Sequence, residues 1–131
     1  MILRIMAKVF VGVRERRRII VDNIIEYKEL NPDFIINRFP ELKDQVLEEI
    51  EGFDEFLPHV VFGNIFNPLT VKLLKQNDYK LNNQLRRIFD MYDYFATYGD
   101  DDTVNLLEVT LLEYLWDEKI TILSISVGIL G

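Results

Sequence analysis

Four prolines, Pro32, Pro40, Pro58 and Pro68, punctuate the middle of this chain and constrain its fold more than any other feature. Proline lacks a backbone N–H and its ring clashes with the carbonyl four residues earlier, so it is tolerated in a first helical turn and costs roughly 3 kcal/mol deeper in. Two of the four follow asparagine, whose side chain accepts from the free amides of a helix start: Asn31-Pro32 and Asn67-Pro68. All four read as helix starts, and the chain between them as a set of short antiparallel helices.

The apolar spacing fills in those helices. Met1 to Val13 places Ile2, Ile5, Met6, Val9, Phe10 and Val13 opposite Arg4 and Lys8, an amphipathic helix. Ile19 to Leu30 reads as helix, with Ile19-Ile20-Val21 as an alternative short strand. Pro32 opens a helix carrying Phe34, Ile35, Ile36 and Phe39. Pro40 opens another, with Leu42, Val46, Leu47, Ile50 and Phe53 on one face and Gly52 as a left-handed stop. Leu57 to Asn67 reads as a buried connecting helix, and Asn67-Pro68 launches the next, toward Gln76. The clearest period runs from about Leu81 to Tyr98, through Leu85, Ile88, Phe89, Tyr92, Phe95 and Ala96. Gly99 ends it, and Asp100, Asp101, Asp102 and Thr103 supply caps for a last helix to Trp116. That helix is apolar nearly all round and is expected to lie centrally or be covered on two sides. The tail after Glu118 alternates like a strand and is expected to dock on the helices or fray.

At 131 residues one domain is expected, residues 1–131, with a basic N-terminal helix (1–22) and an apolar tail (119–131). The fold expected is all-α: a compact bundle, or a short HEAT- or armadillo-like stack, of about six short helices. The absence of cysteine removes disulfides and thiolate metal sites and favours a cytoplasmic protein. No apolar run approaches the roughly 20 residues a membrane-spanning helix needs. The basic helix could lie on anionic lipid, but packing against the body is the simpler account.

Charge is unevenly spread. Residues 1–20 hold six basic side chains against Glu15, a net of +5; because the whole chain carries -7, the rest carries -12. An acidic body disfavours nucleic acid and suits a basic protein partner.

His59 is the only imidazole, so no cluster of zinc ligands can form around it, and a structural hydrogen bond near a helix start is expected. Glu108 has Val104, Leu111, Leu112 and Leu115 at helical spacing. A carboxylate on such a face needs a partner such as Arg86 or Arg87, or a raised pKa, and could then do acid–base work. The run Asp100, Asp101, Asp102 lacks the alternate ligands and closing glutamate of a calcium loop, and capping explains it better. Asp90, Asp93, Tyr94 and Tyr98 join those aspartates in an acidic, aromatic-bearing surface suited to binding protein. No nucleotide-binding glycine loop, serine elbow or metalloprotease motif is present, and no cofactor or metal is expected.

The pattern Leu57-Pro58-His59-Val60-Val61-Phe62-Gly63, Asn67-Pro68, Leu73-Leu74, Ile88-Phe89-Asp90 and Asn105-Leu106-Leu107 through Leu115 resembles an uncharacterised bacterial family of small all-helical domains, over residues 31–118. The resemblance implies the fold and no activity. In size, charge and class the chain is also similar to immunity proteins that neutralise bacterial toxins. The function expected is recognition of another protein, such as a basic toxin domain. The alternative is an enzyme using Glu108 or His59 in a pocket between helices.

Overall fold

A computed structural model describes residues 24–52, 54–76 and 79–117. The expected helix over residues 1–22, the tail over 119–131 and the placement of Phe53 lie outside them. The described residues are helical, with five α-helices and no strand. This is the all-α architecture the proline spacing implies.

Residues 24–30 depart from the expected helix. Ile25 is extended and bridges to Gly99 in parallel sense, its N–H donating to the Tyr98 carbonyl (2.7 Å) and its carbonyl accepting from Asp100 N–H (2.8 Å). Those partners satisfy the Ile25 backbone from outside, so a helix has nothing left to supply there. A single 3₁₀ turn, Tyr27–Glu29, follows. The bridge needs Gly99 to be glycine: a Cβ there would sit 2.5 Å from the Phe95 carbonyl oxygen and 2.8 Å from Thr103 Cγ2.

Helix α1, Pro32–Arg38, begins as the sequence requires, with Asn31 Oδ1 accepting from Phe34 N–H (3.0 Å) and Pro32 in the first turn. A 3₁₀ turn, Pro40–Leu42, then runs into α2, Lys43–Ile50. Leu42 and Val46 are buried, whereas Leu47, expected beside them, is exposed. Gly52 is not left-handed, since no described residue has a positive φ.

Helix α3, Pro58–Leu74, is where the proline rule breaks. Pro68 lies inside it, and Asn67 is a buried helical residue, not a cap. The missing N–H at Pro68 removes the bond to the Asn64 carbonyl and costs about 3 kcal/mol. Against that, the helix buries Val61, Phe62, Ile65, Phe66, Val71, Leu73 and Leu74, each contributing roughly 1.5–3 kcal/mol. Burial wins, and one long helix stands where two short ones are expected.

Helix α4, Asn83–Tyr98, has Asn82 as its cap, the side chain accepting from Leu85 N–H (2.9 Å). Every expected core position on it is buried, from Leu85 to Ala96, with Met91 in addition. Helix α5 starts as α over Asp101–Asn105, widens to π over Leu106–Leu112, and continues as α over residues 113–117. At 3.6 residues per turn, Leu112 would be turned about 140° from Leu107. The i→i+5 register returns it to the same face, so Leu106, Leu107, Leu111 and Leu112 are all buried while Val109 is 49% exposed.

The centre belongs to α3, which packs against α2, α4 and the π segment, and the π segment is itself covered on two sides, by α3 and α4, as its apolar sequence requires. An aromatic ladder fills the space between α1, α3 and α4. Phe34 meets Phe95 (ring centroids 5.7 Å apart), Phe62 meets Phe95 (5.9 Å) and Phe66 (5.6 Å), and Phe66 meets Phe39 (5.1 Å). No described helix is long and apolar enough to cross a membrane.

Candidate functional site

The residues of the acidic, aromatic surface predicted from the sequence fall on α4 and at the start of α5. Asp90, Tyr94 and Tyr98 recur four residues apart, which on a helix makes one stripe along α4. The Tyr94 and Tyr98 rings lie 5.2 Å apart. Tyr94 is exposed, while Tyr98 is half-buried against the core. Arg38, in the last turn of α1, lays its guanidinium over both the Phe34 ring (4.7 Å) and the Tyr94 ring (4.8 Å). That stacking, which the sequence does not reveal, holds the exposed tyrosine in place. Asp93, half-buried, and Asp90, exposed, stand beside it, and Asp101 and Asp102 are exposed in the first turn of α5.

Asp100 is different. Its Oδ1 accepts from Thr103 N–H (2.9 Å) and its Oδ2 from Tyr27 N–H (2.9 Å), so it caps α5 and pins residues 24–30 to the body. Both carboxylate oxygens are engaged by the protein itself.

Glu108 is exposed, contrary to the expectation of a carboxylate on an apolar face. The π register is the reason: its extra residue swings positions 108 and 109 outward, which α-helical counting cannot anticipate.

His59 takes the structural place expected of it, and more. Its Nδ1 is 2.6 Å from the Tyr27 hydroxyl and its Nε2 is 3.5 Å from Asn105 Nδ2, so the ring is flanked on both nitrogens. Burial raises the Tyr27 pKa; the His59 contact works the other way, and the Asp102 charge adds to the rise.

Beside His59 opens a groove of about 500 Å³ between α3 and the π segment, lined by His59, Val60, Gly63, Asn64, Asn67, Pro68, Thr110 and Tyr114. From Val60 the α3 members follow i, i+3, i+4, i+7, i+8, one face of that helix, with His59 one turn before Gly63. Gly63 lets the helices close: a Cβ on it would meet Thr110 Cγ2 at 3.0 Å. Asn67, only 8% exposed, donates from Nδ2 to the Thr110 carbonyl (3.0 Å), and its Oδ1 is buried without a partner. Asn64 donates to Glu49 at the rim (3.2 Å). Sequence reading missed Tyr27, Asn64, Asn67, Asn105, Thr110 and Tyr114. The one available signal was the polar stripe of Gly63, Asn64 and Asn67 on an otherwise apolar helix.

Among the described residues, no group of three or more His, Asp or Glu side chains is placed to hold a metal ion. A family model described as a domain of unknown function, DUF7674, matches residues 32–125. The chain belongs to the DUF7674 family. The DUF7674 match starts at Pro32, the first residue of α1, and extends past the expected limit at Glu118. Residues 24–30, which supply Tyr27 to His59, therefore lie just outside the matched DUF7674 region, while the groove lies wholly within it. No curated protein and no solved structure matches the chain.

Proposed function

We propose that this DUF7674 chain is a protein-recognition module of the bacterial cytoplasm that binds a basic partner through the surface formed by Asp90, Asp93, Tyr94, Tyr98, Asp101 and Asp102. The observation that carries the reading is the exposed Tyr94 ring, held between Tyr98 and the Arg38 guanidinium. Tyrosine and arginine are the residue types that dominate binding energies, and a side chain already fixed loses little entropy on docking. The neighbouring carboxylates would steer a basic partner and speed encounter. A toxin domain is such a partner, neutralised by covering its active surface. Asp100 is left out of this surface because its oxygens serve the fold.

The test is co-purification from the native host with tagged wild-type, Tyr94→Ala and Asp101→Lys/Asp102→Lys chains. A stoichiometric basic protein retained by wild type, reduced at least tenfold by Tyr94→Ala and released by high salt supports the reading. A partner held equally by all three chains, or none under several growth conditions, refutes it.

A further inference from the structure

We propose that the groove between α3 and the π segment of α5 binds a neutral ligand through a planar amide edge, the donor–acceptor edge shared by carboxamides and by the ring amides of nucleobases. This site is separate from the Tyr94 surface and does not depend on the partner reading.

Three observations converge on it. The lining holds an imidazole, two carboxamides and two hydroxyls (His59, Asn64, Asn67, Thr110, Tyr114) but no lysine or arginine, and the one carboxylate nearby, Glu49, accepts from Asn64 at the rim, so the groove offers hydrogen bonds and no counter-charge for an anion. An anionic ligand would lose hydration there with little return. Next, Asn67 is more than nine-tenths buried, and its amide is locked by the bond from Nδ2 to the Thr110 carbonyl; Oδ1 remains an acceptor with no donor. An acceptor left in that state costs about 1–3 kcal/mol; Oδ1 has under 1 Å² of open surface, so a ligand N–H that recovers this cost must displace the groove wall beside it. Finally, the wall opposite is a π segment, a register that recurs at functional sites; it brings Thr110 to the groove, with Tyr114 in the turn that follows. Tyr114, 37% exposed, adds an aromatic ring to the lining, and His59, flanked by Tyr27 and Asn105, adds an imidazole held in place.

The experiment is an NMR titration of the ¹⁵N-labelled full chain with nicotinamide, with uracil and with nicotinate. Nicotinamide carries a pendant carboxamide, uracil a ring amide, and nicotinate is the charged isostere with neither. Saturable shifts at Gly63, Asn67, Thr110 and Tyr114 with either amide, at least tenfold weaker with nicotinate, are expected; which amide is tighter tells the source of the edge. Asn67→Leu should weaken the interaction at least tenfold, and because that change could disturb packing, Tyr114→Ala at an exposed position should weaken it too while leaving the Tm unchanged. The proposal is overturned if neither amide gives saturable shifts at these residues, if nicotinate binds as well, or if Tyr114→Ala binds like wild type.

Discussion

Asn67 on α3 donates through Nδ2 to the main-chain carbonyl of Thr110 on α5 at 3.0 Å, directly where α5 departs from α-helical register. A widened turn leaves carbonyls poorly served by their own helix, and a side chain from a neighbouring helix can take one over. The sequence is arranged for it. Gly63, one turn before Asn67, removes the side chain that would hold the helices apart, and the carboxamide spans the interface. Replacing Asn67 with Ala should therefore lower stability by about 1 kcal/mol: the part-buried Thr110 carbonyl loses its donor, and removal of the unpaired Oδ1 offsets part of that loss. Urea unfolding of the variant measures it; an unchanged midpoint would show that the contact contributes nothing.

The π segment itself makes a sharper prediction. Its extra residue is absorbed at Glu108 and Val109, both exposed, while Leu106, Leu107, Leu111 and Leu112 face the core. Removing Val109 should let the segment close into a plain α-helix with Leu111, Leu112 and Leu115 still buried, since one residue fewer restores about 100° of rotation. The shortened chain is expected to fold, with a loss of stability close to that of Asn67→Ala because Thr110 leaves its contact with Asn67. It should also lose the amide-ligand shifts, because Thr110 is repositioned. A chain that unfolds on this deletion would show that the π register belongs to the core.

The two roles within the aspartate run are separable by substitution. Asp100 accepts from two backbone amides, Thr103 and Tyr27, whereas Asp101 is exposed in the first turn of α5. Asp100→Ala should cost about 1–3 kcal/mol, the scale for orphaned donors and a lost N-cap. Asp101→Ala should cost about 0.3–1 kcal/mol at most, the contribution of a charge near a helix N-terminus. Thermal melts of the two variants settle the order, and the proposed partner should discriminate against Asp101→Ala more than its small stability loss implies. Equal destabilisation would mean that Asp100 does not act as the cap and clasp described.

Much of the architecture was legible because it is local. Asn31-Pro32, Pro40, Pro58 and the Leu85-to-Ala96 period each act within one helix, where capping and 3.6-residue spacing suffice. What failed is tertiary. Asn67-Pro68 is a cap signature by its own lights, and only the apolar side chains on both sides of it make a continuous helix cheaper. Ile25 is extended because Tyr98 and Asp100 engage its backbone, partners more than seventy residues away. The π register is set by which leucines the core can hold, so the outward turn of Glu108 and the groove beside Thr110 follow from packing that no local count contains. Of the predicted site, Tyr94 and Tyr98 do come together; the Arg38 clamp and the His59–Tyr27 pair are long-range contacts with no local sequence signature.

A last prediction concerns alkaline pH. Tyr92 is completely buried on α4, its hydroxyl lacking a well-formed hydrogen bond though it lies near the Thr70 hydroxyl of α3. Burial drives its pKa far above the ordinary value near 10, the Thr70 hydroxyl offsetting part of the rise. The sign follows from linkage. Below pH 10 the phenol is neutral in both states and the stability it allows is fully present. Above it, the unfolded chain ionises while the folded chain does not, so unfolding releases a proton and stability falls by up to about 1.4 kcal/mol per pH unit. Tyr27, also raised, adds to the same window. Tyr92→Phe removes its share of that slope and one of the two buried hydroxyls, leaving that of Thr70. The variant is expected within about 1 kcal/mol of wild type at pH 7, and increasingly more stable than wild type from pH 10 upward. Urea midpoints at pH 7, 9, 10 and 11 provide the comparison, and parallel curves for the two proteins would mean that Tyr92 ionises in the folded state as readily as in the unfolded one.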